Sequence, residues 1–169
     1  MTTSLSGKAG AVFDLIYNLD VDLAKDLQAH LKIEASRWSY GTGAGAVNVV
    51  YAATTTLADG ANTTLNLKDS GTLLDVFKQA LTMTAIKFLY IKNNSADATL
   101  KVGGGDSLDL DIFAAKTDIL LIKPLASAIL LNDPSAAGVS VATNYNLKIE
   151  HDGTGEESMD VDVIALGLD

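Results

Sequence analysis

The sequence predicts an all-β protein, an antiparallel β-sandwich of the jelly-roll kind with at most one short helix. Three observations predict this class. Roughly ten short segments alternate apolar and polar residues with the period of two that marks a strand. Clusters of Gly, Asn and Asp separate them, as in turns. No long helical pattern lies between them. The length of 169 residues fits one globular domain.

The first 40 residues differ from the rest, because their strands look longer and more regular. Residues 11–23 alternate strictly, which predicts a strand. We interpret 24–28 as a connection and 29–40 as a second strand, although leucines at spacing four leave 21–31 open to a helix. We therefore expect an N-terminal extended segment or arm over 1–40 and the sandwich over 41–169.

The middle of the chain opens with glycines at 41, 43 and 45, which we interpret as a hinge. Residues 47–57 are rich in Val, Tyr and Thr and predict a strand, and 63–67 predict a shorter one. Leu73, Val76, Phe77 and Leu81 have helical spacing, so 72–81 is the one candidate helix. Residues 84–92 are apolar on both faces, which is typical of a central strand.

The second half of the chain alternates in short segments that end at Gly, Asn, Asp or Pro. Turns are expected at 93–95, 103–105, 124, 132–134 and 152–155. The strands predicted between them cover residues 98–102, 108–112, 118–123, 128–131, 139–141, 145–149 and 159–165.

Composition narrows the range of functions. The formal net charge is −9 and the 12 basic residues are scattered, so we expect no binding to nucleic acid and none to anionic membranes. The chain has no cysteine, which excludes disulfides and thiol catalysis. The mean hydropathy of +0.23 is high for so few aromatic residues. Such a composition suits sheets that pack closely face to face, or surfaces that are buried between subunits.

No catalytic constellation is visible in the sequence. The only histidines are His30 and His151. A Ser/His/Asp site using His151 beside Asp152 is the alternative, but no nucleophile elbow accompanies it. The glycines at 41–45 lack the Lys and the following helix of a phosphate loop. We therefore expect no enzyme, no catalytic residue, no cofactor and no bound metal.

Two Asp-x-Asp pairs, Asp109/Asp111 and Asp160/Asp162, fall on predicted solvent faces of strands. Alternating Asp keeps a sheet face hydrated and discourages edge-to-edge pairing. Calcium binding is the alternative interpretation. A further alternative is a carbohydrate-binding module, for which Tyr51 would be an exposed aromatic candidate.

Arg37, Trp38 and Tyr40 form the one cluster that has the composition of an interface. Arg, Trp and Tyr dominate binding hot spots. Trp38 is the only tryptophan, and a place in the core explains it equally well. These three residues are our predicted interface residues.

Three stretches carry a family resemblance: YGTGAGAVNVVYAATTTLADGANTTLNL from Tyr40, then IKFLYIKNNSADATLKVGG, and finally NLKIEHDGTGEESMDVDVIALG. In these the chain resembles structural proteins of tailed bacteriophages and prophages, whereas residues 1–40 match less clearly. The resemblance implies a virion component made in the cytoplasm of the bacterial host. It implies a capsid decoration (cement) protein first, or a tail or fibre subunit. Homo-oligomerisation, with a trimer favoured, and capsid or tail proteins as partners would follow.

Overall fold

The computed structural model describes residues 6–9, 13–21, 24–33, 36–68, 73–74, 80–105, 109–154 and 158–169. These residues contain no helix, and their regular structure is entirely strand. The strands are β1 (Ser6–Ala9), β2 (Phe13–Val21), β3 (Ala24–Ile33), β4 (Ser36–Tyr40), β5 (Ala46–Val47), β6 (Val49–Ala58), β7 (Asn62–Asn66), β8 (Ala85–Asn93), β9 (Leu100–Gly103), β10 (Ile119–Ile122), β11 (Ser127–Asn132), β12 (Val139–Ser140), β13 (Asn146–His151) and β14 (Ser158–Leu168).

Eight of these strands build two sheets. One has the order β10-β9-β13-β7 and the other the order β11-β8-β14-β6, with the short β12 also paired to β8. The antiparallel pairs are β6–β14, β7–β13, β8–β11 and β9–β10. They are nested: the first of the eight strands pairs with the last, the second with the second last, and the two middle strands with each other. That nesting is the jelly-roll topology. The predicted all-β sandwich is confirmed.

The core lies between the two sheets. On β14 every second residue from Met159 to Ala165 is buried, and the residues between them are more exposed. The facing sheet contributes Leu100, Leu147 and Ile149, all buried. Because successive strand residues point to opposite faces, alternation in sequence becomes a core on one side of each sheet.

The N-terminal strands form two small sheets. β2 and β3 make an antiparallel hairpin, and β4 pairs with β1 and, in parallel, with β5. Residues 24–28, predicted as a connection, are the first half of β3, and the strand predicted over 29–40 is divided between β3 and β4. The reason is that a leucine spacing of four is an even number, so Leu27 and Leu31 share a strand face as readily as a helix face.

Two further predictions concern a helix over residues 72–81 and a strand over residues 108–112. Most of the candidate helix, 72 and 75–79, lies outside the described residues. On either side of 75–79, Leu74 and Ala80 form an antiparallel bridge. The strand predicted over 108–112 is wrong for 109–112, because Asp109 forms a single bridge to Asn146 and turns begin at Asp111.

The turn predicted at 93–95 falls where β8 ends, and Asn93, the last residue of that strand, joins the two sheets. Asn93 is buried at the end of β8, and its Oδ1 accepts a hydrogen bond of 2.9 Å from the amide of Ser95. Its Nδ2 donates to the carbonyls of Ala98 at 2.8 Å and Ile122 at 3.1 Å. The buried amide is therefore fully used, as a polar group removed from water must be.

Candidate interaction surface

The outer face of the five-stranded sheet, which points away from the sandwich core, is organised in three cross-strand rows. The first row contains Asn132, Phe88, Leu166 and Val50. The second row, which we call the open row, contains Ile129, Tyr90, Ile164 and Ala52. The third row, which we call the polar row, contains Ser127, Lys92, Asp162 and Thr54. Neighbouring residues in a row are close enough to act as a unit. The three rows differ in what covers them.

The first row is covered by the tryptophan predicted for an interface. Trp38 on β4 is only 4% exposed and belongs to a second hydrophobic cluster with Val47, Phe88 and Leu166. The rings of Trp38 and Phe88 meet edge to face, with centroids 6.5 Å apart. Of the two interpretations of Trp38, the structure places it in a core within this chain.

The two neighbours of Trp38 in the predicted cluster have a different environment. Arg37 is exposed, and Tyr40 keeps 48% of its surface in water. The structure therefore does not bring the three side chains together in one exposed patch. Their role in an interface with another chain stays a prediction, and Arg37 and Tyr40 are the residues available for it.

Trp38 also has an unpaired polar atom. Its Nε1 is buried and has no hydrogen-bond partner among the described residues. A buried N–H without an acceptor costs about 1–3 kcal/mol. The packing of Trp38 on the sheet therefore depends on apolar contacts and not on a hydrogen bond from its indole.

A buried lysine forms hydrogen bonds to the loop at residues 41–46, which precedes the jelly roll. Lys87 on β8 has no exposed surface, and its Nζ donates hydrogen bonds of 2.8 Å to the carbonyls of both Gly43 and Ala46. The amide of Gly45 donates to the carbonyl of Pro134 at 2.8 Å. The glycine segment interpreted as a hinge is thus fixed at two points. The sequence analysis missed Lys87, since it lies in a segment that is otherwise apolar.

The open row carries the apolar surface that nothing in the described chain covers. Ile129 and Ala52 are exposed, and Tyr90 and Ile164 are half-buried. A shallow groove of 410 Å³ runs along this row and the polar row. Tyr51, expected to be exposed, is instead buried on the inner face, and burial raises the pKa of its phenol. The aromatic residue of the open row is Tyr90.

The polar row and the residues beyond it are held by threonine–aspartate pairs. The hydroxyls of Thr54 and Thr56 each donate a hydrogen bond of 2.6 Å, to Asp162 and Asp160 respectively. Asn94 donates a second bond of 2.8 Å to Asp162. The bonds from Asn94 and Thr54 lower the pKa of Asp162, because they stabilise its charged form. These aspartates lie on the outer face, as the sequence indicated.

Of the other Asp-x-Asp pair, Asp109 was wrongly assigned to a solvent face. Asp109 is buried, and its Oδ2 accepts a hydrogen bond of 2.7 Å from the amide of Gly105. A Cβ at Gly105 would lie 2.3 Å from Asp109 Oδ1, so any larger residue there would displace the carboxylate. Asp111 is exposed, and its hydrogen bonds from Lys116 and Asn144 lower its pKa. The two carboxylates do not share a strand, because Asp109 forms an isolated bridge and a turn begins at Asp111.

A second apolar area lies at the edge of the four-stranded sheet. Ile119 and Leu121 on β10 are 52% and 53% exposed, and Leu125 in the following turn is 67% exposed. Leu125 has φ of 58°, a left-handed conformation that costs a non-glycine residue about 1–2 kcal/mol. Natural proteins usually protect such edges with charge or proline. This edge instead presents large aliphatic side chains.

His151 forms no solvent-facing site. His151 is 1% exposed; its Nδ1 accepts a hydrogen bond of 3.0 Å from the amide of Gly153, and its Nε2 is buried without a partner among described residues. His30 pairs with Ile16 in the β2–β3 hairpin. The Ser/His/Asp alternative would require Nε2 of His151 to face a substrate, and here it faces the interior.

Among the described residues, no three His, Cys, Asp or Glu side chains are grouped so that they could hold a metal ion. The same residues include no helix long and apolar enough to cross a bilayer. Comparison with protein-family models, with curated proteins and with solved structures finds no match to this chain.

Proposed function

We propose that this chain is a non-enzymatic structural component of a bacteriophage particle, and specifically a decoration protein on the capsid. The observation that carries the proposal is apolar surface left open on a rigid jelly roll, at the open row and along the β10 edge. Exposed apolar areas on a stable domain are typical of contact sites between proteins. The resemblance to phage structural proteins supplies the kind of assembly.

The buried polar groups support the same proposal. Lys87, Asn93 and Asp109 use their polar atoms on backbone groups of this chain. They stabilise loops, and a surface that must stay rigid in a particle benefits from such loops. Jelly rolls are also common in viral capsid proteins. That is a fold-level analogy, since one fold serves many functions.

The test is to look for the chain in particles. Phage particles induced from a bacterium that carries this gene would be purified on a density gradient and analysed by quantitative mass spectrometry. A decoration protein is expected at a fixed, high ratio to the major capsid protein. Peptides found only in the unassembled fraction would contradict the proposal. Peptides at a few copies per particle would favour the tail or fibre role instead.

A second candidate function is carbohydrate binding. The groove beside Tyr90 combines an aromatic ring with Lys92 and Asp162, the combination of apolar platform and polar groups that sugar sites use. Jelly rolls also serve as lectin domains. The test is a glycan array probed with the intact chain and with Tyr90→Ala. Binding that Tyr90→Ala abolishes would favour this function, and an array without signal would reject it.

A further inference from the structure

The chain contains two Asp-Gly dipeptides, and both follow strands at the same end of the sandwich. Asp59-Gly60 comes after β6, and Asp152-Gly153 comes after β13. The two turns are in contact, since a Cβ at Gly153 would lie 3.8 Å from the Cα of Gly60. In such a dipeptide the glycine amide nitrogen can attack the aspartate carboxyl, because glycine has no side chain to hinder the approach. The two dipeptides are chemically alike, so their surroundings decide how each reacts.

The first dipeptide has both reacting groups available. The side chain of Asp59 is 59% exposed, and the Nδ1 of His151 lies 3.7 Å from its Oδ1, beyond hydrogen-bond distance. The turn is closed by a hydrogen bond of 2.9 Å from the amide of Ala61 to the carbonyl of Ala58. That bond spans the dipeptide and does not use the amide of Gly60. Among the described residues, neither this amide nor the Asp59 carboxylate forms a hydrogen bond.

The second dipeptide has both reacting groups occupied. The side chain of Asp152 is 17% exposed, and its Oδ1 accepts a hydrogen bond of 3.1 Å from the amide of Thr154. The amide of Gly153 donates a hydrogen bond of 3.0 Å to Nδ1 of His151. The ring of His151 is buried, so its orientation is fixed by packing. The nucleophile and the electrophile are therefore held apart by separate partners.

We propose that Asp59 is a site of spontaneous modification, where the chain forms a succinimide and then isoaspartate, while Asp152 stays unmodified. In the first step the amide nitrogen of Gly60 bonds to Cγ of Asp59, and the carboxyl hydroxyl leaves with the amide proton as water. In the second step water adds to one of the two ring carbonyls. Opening at the side-chain carbonyl restores aspartate, and opening at the main-chain carbonyl gives isoaspartate. The water lost is regained, so the overall reaction is an isomerisation that needs no enzyme, metal or oxidant.

The modification would change the connection between the two sheets. Isoaspartate routes the main chain through its own Cβ, which adds a methylene between Ala58 and Ala61, the two residues whose hydrogen bond closes the turn. This turn joins β6 of one sheet to β7 of the other. The carbonyl of Ala61 also accepts a hydrogen bond of 2.9 Å from the amide of His151. The reaction involves only this chain and water, so it does not depend on a role in a phage particle.

The test follows the unmodified chain during weeks at physiological temperature in water enriched in heavy oxygen. Each opening of a succinimide introduces an oxygen atom from the solvent, whichever carbonyl is attacked. Trypsin then releases residues 38–68, in which Asp59 is the only aspartate, and residues 149–169, which contain Asp152. Fragment ions locate the label, and a protein isoaspartate methyltransferase measures isoaspartate in each peptide. Circular dichroism confirms that the chain stays folded throughout.

We expect label and isoaspartate at Asp59, severalfold above the level at Asp152. The same chain unfolded in urea is the matched control, and it should label both aspartates to a similar extent because the hydrogen bonds of the second dipeptide are lost. Asp59→Glu should remove the label from this position, because the larger ring closes far more slowly. Absence of label at Asp59 would overturn the proposal, as would equal or higher label at Asp152. The same difference in the unfolded chain would also overturn it, since the structure would then not be its cause.

Discussion

The two faces of the five-stranded sheet are built from the same strands and have opposite environments. Phe88 and Leu89 are consecutive residues of β8, yet Leu89 faces the dry core between the sheets while Phe88 lies under Trp38 on the outer face. The inner face is mainly apolar, with Asn93 as a buried polar residue at its end. On the outer face, the first row is covered by Trp38, the open row is uncovered and apolar, and the third row is polar.

One face of the sheet is intrinsic to the jelly roll, and the other depends on further segments. The inner face is covered by the facing sheet, so the eight strands complete it themselves. Among the described residues, β4 and β5 cover one part of the outer face, and the stability of that part therefore depends on segments outside the eight strands. Exposed apolar surface beside a cover is where a further chain would be expected to bind.

The largest effect is expected on the inner face. Leu89→Ala removes a fully buried side chain and leaves a cavity between two sheets that cannot collapse. We expect the free energy of unfolding to fall by about 4 kcal/mol, within the range for buried Leu→Ala changes. Urea unfolding followed by circular dichroism measures it. A loss below about 1 kcal/mol would mean that this position is not rigid core.

A smaller loss is expected one residue away. Phe88→Ala removes the ring that meets Trp38, but β4 can shift to fill part of the space, so we expect a loss of about 3 kcal/mol. The fluorescence of Trp38, the only tryptophan, should also move to longer wavelength as water reaches the indole. Tyr40→Ala, at an exposed position on the same strand, is the control. Unchanged emission from Phe88→Ala would contradict the assigned packing.

Lys87→Met tests the fastening of the loop. The substitution keeps the buried aliphatic stem and removes the ammonium, which leaves the carbonyls of Gly43 and Ala46 without their donor. We expect a loss of about 2 kcal/mol, the cost of unpaired buried carbonyls. Lys123→Met, at an exposed position, should change stability by less than about 0.5 kcal/mol. Equal effects of the two would contradict the fastening role.

The polar row should contribute a pH-dependent stability. Hydrogen bonds lower the pKa of Asp162 in the folded chain, so the folded state binds the proton less readily than the unfolded chain. The contribution is complete above the unfolded pKa of about 3.9 and is lost as pH falls through the folded pKa. The stability difference between the native chain and Asp162→Asn should therefore narrow on acidification. Unfolding series at about pH 6 and about pH 3 measure it, and a widening difference would contradict it.

The smallest effect on stability is expected in the open row. Ile164→Thr keeps the branched shape at a half-buried position, so unfolding of the single chain should change by less than about 1 kcal/mol. In the homo-oligomer that we expect, the same change should lower the molar mass measured by light scattering, because it puts a hydroxyl into an apolar contact surface. A large loss of stability with unchanged mass would show that this row is completed within one chain.

Much of the fold could be predicted from the sequence, because alternation and turn residues are local signals. Strands such as β6, β13 and β14 follow directly from residues that face the core at every second position. The errors occurred where local signals are ambiguous. A leucine spacing of four is consistent with a helix and with a strand, and the predicted start of β3 was wrong for that reason. Asp109 looked like an outward strand residue, although the amide of Gly105 holds it inside.

The site was less predictable for a physical reason. Trp38 in sequence is consistent with both core and interface, and only the position of β4 over Phe88 decides between them. Lys87 gives no sign in sequence that two carbonyls 41 and 44 residues away will surround its ammonium. The open row joins residues of four strands that are adjacent only after the sheet has formed. No sequence window contains them together.

The sequence by itself determined that this chain is an all-β sandwich, which residues of its strands turn inward, and where most turns fall. These properties depend on side-chain period and on the conformational preferences of Gly, Asn, Asp and Pro, which act over a few residues. Only the tertiary structure decided the nested strand order, the cover that Trp38 provides and the apolar surface that remains open. Those features depend on contacts between segments that are distant in the sequence. Such contacts exist only after the sheets have formed, so no local signal in the sequence predicts them.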